Sequence, residues 1–167
     1  IGHSLGGKVV IKFAFTYPEK IKEAFIADIS PRRYNIDFVQ DVLKNLHKLT
    51  IKNFRKREDI DILLSSSYKD KAMRSFLLKN LYRKKTKEFA WRFNIEVLLK
   101  KLINIQEADF VKGVCEIPTH FIRGENSNYI TREDEIIINK HFSNSTIETV
   151  KNAGHWLHAD QPKEFYR

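Results

Sequence analysis

The chain has 167 residues, 42% hydrophobic and 31% charged, with 30 basic against 21 acidic side chains and a formal net charge of +9. This is enough apolar material for one core. No run approaches the roughly 20 apolar residues that span a bilayer, and the single Cys115 excludes an internal disulfide framework and a multi-cysteine metal site.

The first seven residues, Ile1-Gly2-His3-Ser4-Leu5-Gly6-Gly7, hold a G-x-S-x-G stretch. Glycines on both sides of Ser4 make room for a tight turn between a strand end and a helix start, from which the hydroxyl projects while the Leu5 amide points to the same reaction centre. Residues 7–14 read as a helix packed on one side, stopped by Tyr17-Pro18. Ile21 to Ala27 reads as a buried parallel strand ending in Asp28-Ile29-Ser30-Pro31, because strands covered on both faces are mostly apolar. Ligands of open α/β sheets collect beyond the carboxyl ends of the strands, so Asp28 falls on the same edge as Ser4. The chain begins at the turn itself, which gives the expectation that it is the C-terminal part of a larger enzyme whose upstream segment supplies the flanking strands and is a required partner.

Residues 32–107 interrupt the alternation of strand and helix. Phe38, Val42, Leu46 and Leu49 recur at helical spacing, as do Met73, Phe76, Leu77 and Leu81, and a third helix is expected over Ile95 to Ile103. The stretch from Tyr82 to Phe93 has basic turn material between aromatic ends and reads as a small hairpin lacking an Asn-Gly or Asp-Gly turn. This segment is expected to form a mostly helical cap laid over the sheet edge. It carries 19 basic and 9 acidic residues, so the excess positive charge belongs to it. That charge is read first as a solvated surface and second as weak attraction to an anionic membrane or phosphate-bearing ligand. Nucleic acid is set aside, because Arg55-Lys56-Arg57 and Arg83-Lys84-Lys85 sit in no recognisable binding module.

Alternation resumes with a strand over 117–123, the turn-rich Gly124-Glu125-Asn126-Ser127-Asn128-Tyr129, a helix containing Glu133 to Asn139, and a last strand over 146–150. Beyond it lies Asn152-Ala153-Gly154-His155-Trp156-Leu157-His158, and Pro162 suits the first turn of a terminal helix. The expected fold is therefore α/β: residues 1–31 and 108–167 form the core, with the cap inserted at 32–107.

A serine hydroxyl is a poor nucleophile at neutral pH and needs a base that takes its proton and later returns it. A histidine suits both transfers, and His155 follows the last strand, from where it can reach back to the turn. His3 is read as structural, and His158 as part of the approach to the last helix. The carboxylate that should orient the imidazole is ambiguous: Glu125 follows the strand glycine, Ser127 stands where an aspartate is expected, and Asp28 ends the preceding strand.

The matching stretches are Gly2-His3-Ser4-Leu5-Gly6-Gly7-Lys8, Asp28-Ile29-Ser30-Pro31, Phe76-Leu77-Leu78-Lys79-Asn80-Leu81, Trp91-Arg92-Phe93-Asn94, Phe121-Ile122-Arg123-Gly124 with Ser127-Asn128-Tyr129, and Ala153-Gly154-His155-Trp156. With them the chain resembles the α/β-hydrolase superfamily, in particular the esterase group of α/β-hydrolase domain-containing protein 11 and the bacterial small esterases. The resemblance implies Ser4 as nucleophile, His155 as base, Asp28 as its orienting acid and Ser127 as an auxiliary group of the relay. It implies a serine hydrolase of carboxylic esters, lipid esters or thioesters included, that needs no metal, nucleotide or flavin. The Leu5 amide would hold the oxyanion, and Phe76, Trp91, Phe93 and Trp156 are candidates for lining the acyl site. The competing reading is a catalytically inactive binding protein of the same fold.

Overall fold

The computed structural model describes every residue except Glu107, Asp109, Phe110 and Arg167, with backbone only for Ile105 and Gln106. In chain order the elements are β1 (Gly2–His3), α1 (Leu5–Thr16), β2 (Ala24–Ala27), α2 (Asp37–Lys48), α3 (Arg57–Ser65), α4 (Lys71–Leu78), β3 (Leu81–Arg83) and β4 (Phe89–Trp91). They continue with α5 (Ile95–Gln106), β5 (Thr119–Gly124), α6 (Arg132–His141), β6 (Ser145–Val150), α7 (Leu157–Asp160) and α8 (Pro162–Phe165). The chain divides into two compact units, one of residues 1–34 with 104–167 and one of residues 35–103. The cap boundary expected at residue 107 lies outside the described residues.

In the first unit the described residues form a four-stranded parallel sheet in the order β1-β2-β5-β6. Its residues sort by the two-residue period of a strand. Ile26 and Phe121 turn to one face and pack with Ile11 and Ala14 of α1 and Ile138 of α6. Their neighbours Ala27 and Ile122 turn to the other face with Val150, Ala153 and Leu157. Ile11, Ile26, Phe121 and Ile138 are fully buried, and each such side chain contributes roughly 1.5–3 kcal/mol over its exposed state. These two apolar layers hold the carboxyl ends of β1, β2 and β5 side by side, because the register pairs His3 with Ala27 and Ala27 with Ile122.

The strand expected from Ile21 is shorter. Pro18–Lys20 form a 3-10 turn that Ile21 closes, and pairing starts at Ala24, opposite Thr119. The proline fixes φ in that turn and delays entry to the sheet. At the other end the terminal helix expected from Pro162 is α8, with the proline in its first turn, and a further four-residue helix, α7, precedes it. Cys115 is buried beside the sheet, bridged to Phe142, and burial pushes its thiol pKa up.

The second unit differs more from its reading. Leu81 does not extend α4: that helix stops at Leu78, and Leu81 begins β3. Asp70 caps α4 by accepting from the Ala72 and Met73 amides. An additional helix, α3, buries Ile60 and Leu64; its two buried positions in nine residues are too short a period to stand out in the sequence. The hairpin of β3 and β4 pairs Leu81 with Trp91 and Arg83 with Phe89. Its turn uses Lys87 at φ +65° in place of glycine, and the Lys87 amide donates to the Lys84 carbonyl at 2.9 Å.

Candidate active site

The sheet of the first unit ends in two successive strained corners. Ser4 has φ +52° and Asp28 φ +49°, a left-handed conformation that non-glycine residues adopt at roughly 1–3 kcal/mol. Each is locked by a ladder bond from its own amide, Ser4 to the Ala27 carbonyl at 2.9 Å and Asp28 to the Ile122 carbonyl at 2.7 Å. The turn at Ser4 depends on Gly2, where a Cβ would sit 2.3 Å from the Gly6 carbonyl oxygen; Gly6 itself has open space above it. Of the two flanking glycines, the first is therefore the sterically required one.

His155 lies in the loop between β6 and α7. Its Nδ1 is 2.7 Å from Asp28 Oδ2 and its Nε2 is 3.0 Å from Ser4 Oγ. A carboxylate only accepts, so Nδ1 carries the proton and Nε2 is left to accept from the serine hydroxyl. Asp28 is fully buried. Its Oδ1 accepts from the Gly124 amide at 3.1 Å, and its Oδ2 accepts a second bond from Ser127 Oγ. Three donors from β5, the following turn and the histidine loop thus serve one buried carboxylate, as burying such a group requires. Ser127 Oγ also accepts from the Tyr129 amide at 3.2 Å.

Glu125 stays apart. It is exposed and accepts from the Asn152 amide at 2.8 Å, so it holds the histidine loop rather than the histidine. Leu5 is the first residue of α1, where backbone N–H groups have no intrahelical acceptor. Trp156 is half-buried and stands at the residue before α7. Phe76, Trp91 and Phe93 belong to the second unit, where Trp91 and Phe93 stack at 5.9 Å and 20°. Those two aromatics line a cleft of about 410 Å³ there, together with His47, Asn94, Ile95 and Glu96.

Several contacts have no counterpart in the sequence reading. His3 donates from Nε2 to the His155 carbonyl at 2.7 Å, so β1 grips the backbone of His155. Burial holds the His3 imidazole below its usual pKa, partly countered by that bond. Asp160 accepts from the Gly154 amide at 2.8 Å. Lys8, one turn beyond Ser4, is buried and donates to the Arg32 carbonyl at 2.7 Å; desolvation, with the Arg32 charge nearby, pushes its ammonium pKa down to about 8. Arg32 in turn pairs with the buried Asp134 at 2.7 Å, and Asp134 also accepts from Ser30 Oγ at 2.7 Å.

Among the described residues no group of three or more His, Cys, Asp or Glu side chains is placed to hold a metal ion, and no helix is long and apolar enough to cross a membrane.

No protein-family model matches the chain. It is 32% identical over 162 residues to a Haemophilus influenzae protein named as a candidate esterase/lipase, covering 97% of this chain and 55% of the relative. It is likewise 32% identical over 170 residues to the sn-1-specific diacylglycerol lipase ABHD11 of Mus musculus, covering 99% of this chain and 55% of that protein. Among solved structures, a marine microorganism esterase superposes with a TM-score of 0.92 at 34% identity, over 98% of this chain and 65% of its own. The chain thus spans about half the length of these curated relatives.

Proposed function

The chain belongs to the esterase family of the α/β hydrolases, and from that premise we propose that it carries the nucleophile, base and acid of a serine hydrolase acting on carboxylic esters. The observation that carries the reading is the hydrogen-bonded line Ser4 Oγ, His155 Nε2, His155 Nδ1, Asp28 Oδ2, at 3.0 and 2.7 Å.

In this reading His155 Nε2 takes the Ser4 hydroxyl proton as Oγ bonds to the ester carbonyl carbon. The carbonyl oxygen becomes an oxyanion, to which the Leu5 amide donates. Asp28, kept in place by Gly124 and Ser127, offsets the charge that the imidazole acquires. Collapse of the intermediate breaks the bond to the alcohol oxygen, which receives the proton from Nε2, and leaves an acyl group on Ser4. Water then attacks the acyl carbon, His155 accepts its proton, and the proton returns to Ser4 Oγ as the acid departs. The same steps release a thiol from a thioester. Nucleophile, base and acid are all side chains, so no cofactor enters any step.

The relatives' names point to lipid esters as a substrate class, sn-1 acyl groups of diacylglycerols being the case named for the mouse protein. The experiment is hydrolysis of short p-nitrophenyl esters by the full-length protein and its Ser4→Ala variant. The reading expects turnover by the wild type and its abolition in S4A, with the folded state retained because one hydroxyl is removed. Wild-type turnover by S4A would refute it.

A further inference from the structure

Tyr129 stands outside the line from Ser4 to Asp28 but covers its middle member. The phenol ring lies 3.7 Å from the His155 imidazole, centre to centre, with 15° between the planes. Asp28 fixes the imidazole within its own plane, through Nδ1. One in-plane bond still leaves the ring free to tilt about the line joining the two atoms, and such a tilt carries Nε2 off the serine. A parallel aromatic plane at contact distance blocks the tilt towards itself. It is also a favourable neighbour for a ring that becomes cationic during turnover.

Tyr129 is itself seated. Its amide donates to Ser127 Oγ, its carbonyl accepts from the Tyr34 hydroxyl, and its ring stacks on Tyr34 at 5.5 Å and 22°. The Tyr34 hydroxyl accepts from the Ser30 amide at 2.8 Å. Its ring lies 3.9 Å from the Arg32 guanidinium, which the buried Asp134 holds. A chain of planar groups therefore runs from Arg32 through Tyr34 and Tyr129 to His155, anchored in the loop that begins with Asp28.

We propose that Tyr129 is a positioning residue for the ester hydrolysis: its aromatic plane, seated by Tyr34, holds the His155 imidazole in the orientation in which Nε2 reaches Ser4 Oγ. The proposal rests on the function proposed above.

The test compares full-length Tyr129→Leu and Tyr129→Phe with the wild type, by kinetics on a short p-nitrophenyl ester and by NMR of the His155 ring protons. Leucine keeps apolar bulk and removes the plane; phenylalanine keeps the plane. Y129L should lose about 10- to 100-fold in kcat with KM within about twofold, and Y129F should restore kcat to within about threefold of wild type, the scale on which sub-ångström misplacement acts. The His155 ring protons should be shifted upfield by the stacked ring in the wild type and Y129F, and not in Y129L. Wild-type kcat in Y129L with only a lowered Tm makes Tyr129 a packing residue and overturns the proposal. Equal losses in Y129L and Y129F overturn it too, because they assign the effect to the hydroxyl. Unshifted wild-type protons refute the stack alone, whereas full activity of S4A removes the esterase reading and the role with it.

Discussion

Gly124 and Gly154 meet so closely that a Cβ on Gly124 would lie 2.3 Å from the Gly154 carbonyl oxygen and 2.6 Å from that of Ala153. The end of β5 thus sets the position of the loop carrying His155, and the same Gly124 amide holds Asp28 Oδ1. One glycine places two members of the site.

Gly124→Ala should therefore displace the histidine loop without changing any polar side chain. The obstacle is backbone, which cannot swing away as a flexible side chain does. A shift of about 1 Å at His155 predicts a fall in kcat on the order of 100-fold. Steady-state kinetics and a thermal melt check it; wild-type kcat in G124A would show that the loop is set elsewhere.

Asp28→Asn should lose on the order of 10⁴ in turnover, because an amide does not fix the Nδ1–H tautomer as a carboxylate does. Glu125→Gln should stay within about tenfold of wild type, as it changes an exposed contact to one loop amide. Parallel kinetics of the two variants decide between the carboxylates, and the reverse ranking would transfer the acid role to Glu125.

Ser127→Ala removes a donor from Asp28 and the acceptor of the Tyr129 amide. A charge-assisted bond of this kind contributes about 1.5–3 kcal/mol, so kcat should drop by about 10- to 100-fold. Ser127→Thr keeps the hydroxyl and should recover most of that loss. An S127A enzyme indistinguishable from wild type would make the hydroxyl dispensable.

Lys8 gives a pH signature in stability. Its folded-state pKa, about 8, lies below the ordinary lysine value of 10.5. Between those two values the unfolded chain binds more protons than the folded one, so stability rises with pH across this window, by up to about 1.4 kcal/mol per pH unit. Below pH 8 both states are charged and the contribution is flat at its least favourable. Denaturant midpoints of wild type and Lys8→Met from pH 7 to 10.5 should converge as pH rises, with K8M lacking the lysine's share of the slope. Parallel profiles would show that Lys8 is not desolvated.

What the sequence makes legible follows from how local each signal is. The Gly2 to Gly6 spacing marks Ser4, because a strained turn needs glycine beside it. His155 is marked by its place after the last strand, whereas strand position alone leaves the acid open among Asp28, Glu125 and the Ser127 position, and the choice of Asp28 rests on the family resemblance. The structure brings Ser4, Asp28, His155 and Ser127 into one hydrogen-bonded set. The strands β2, β5 and β6 and the helices α1, α2, α5 and α6 are likewise carried by runs long enough to show in the sequence; the order of the strands in the sheet is not. Leu81 misleads because its spacing from Leu77 fits a helix, yet the chain turns at Lys79 and Asn80 to enter a strand. Tyr129 and His3 leave no sequence signal of their contacts: a ring stack across 26 residues and a bond to a backbone carbonyl across 152 residues depend only on tertiary placement.

If Ser4 is the nucleophile, it alone is captured covalently by a reagent that mimics the ester. The full-length protein is treated with a fluorophosphonate, digested with trypsin and sequenced by mass spectrometry. One phosphonyl adduct is expected, on Ser4 in the peptide ending at Lys8, absent in Ser4→Ala and strongly slowed in His155→Ala. An adduct on another residue, or labelling of S4A at the wild-type rate, would contradict it.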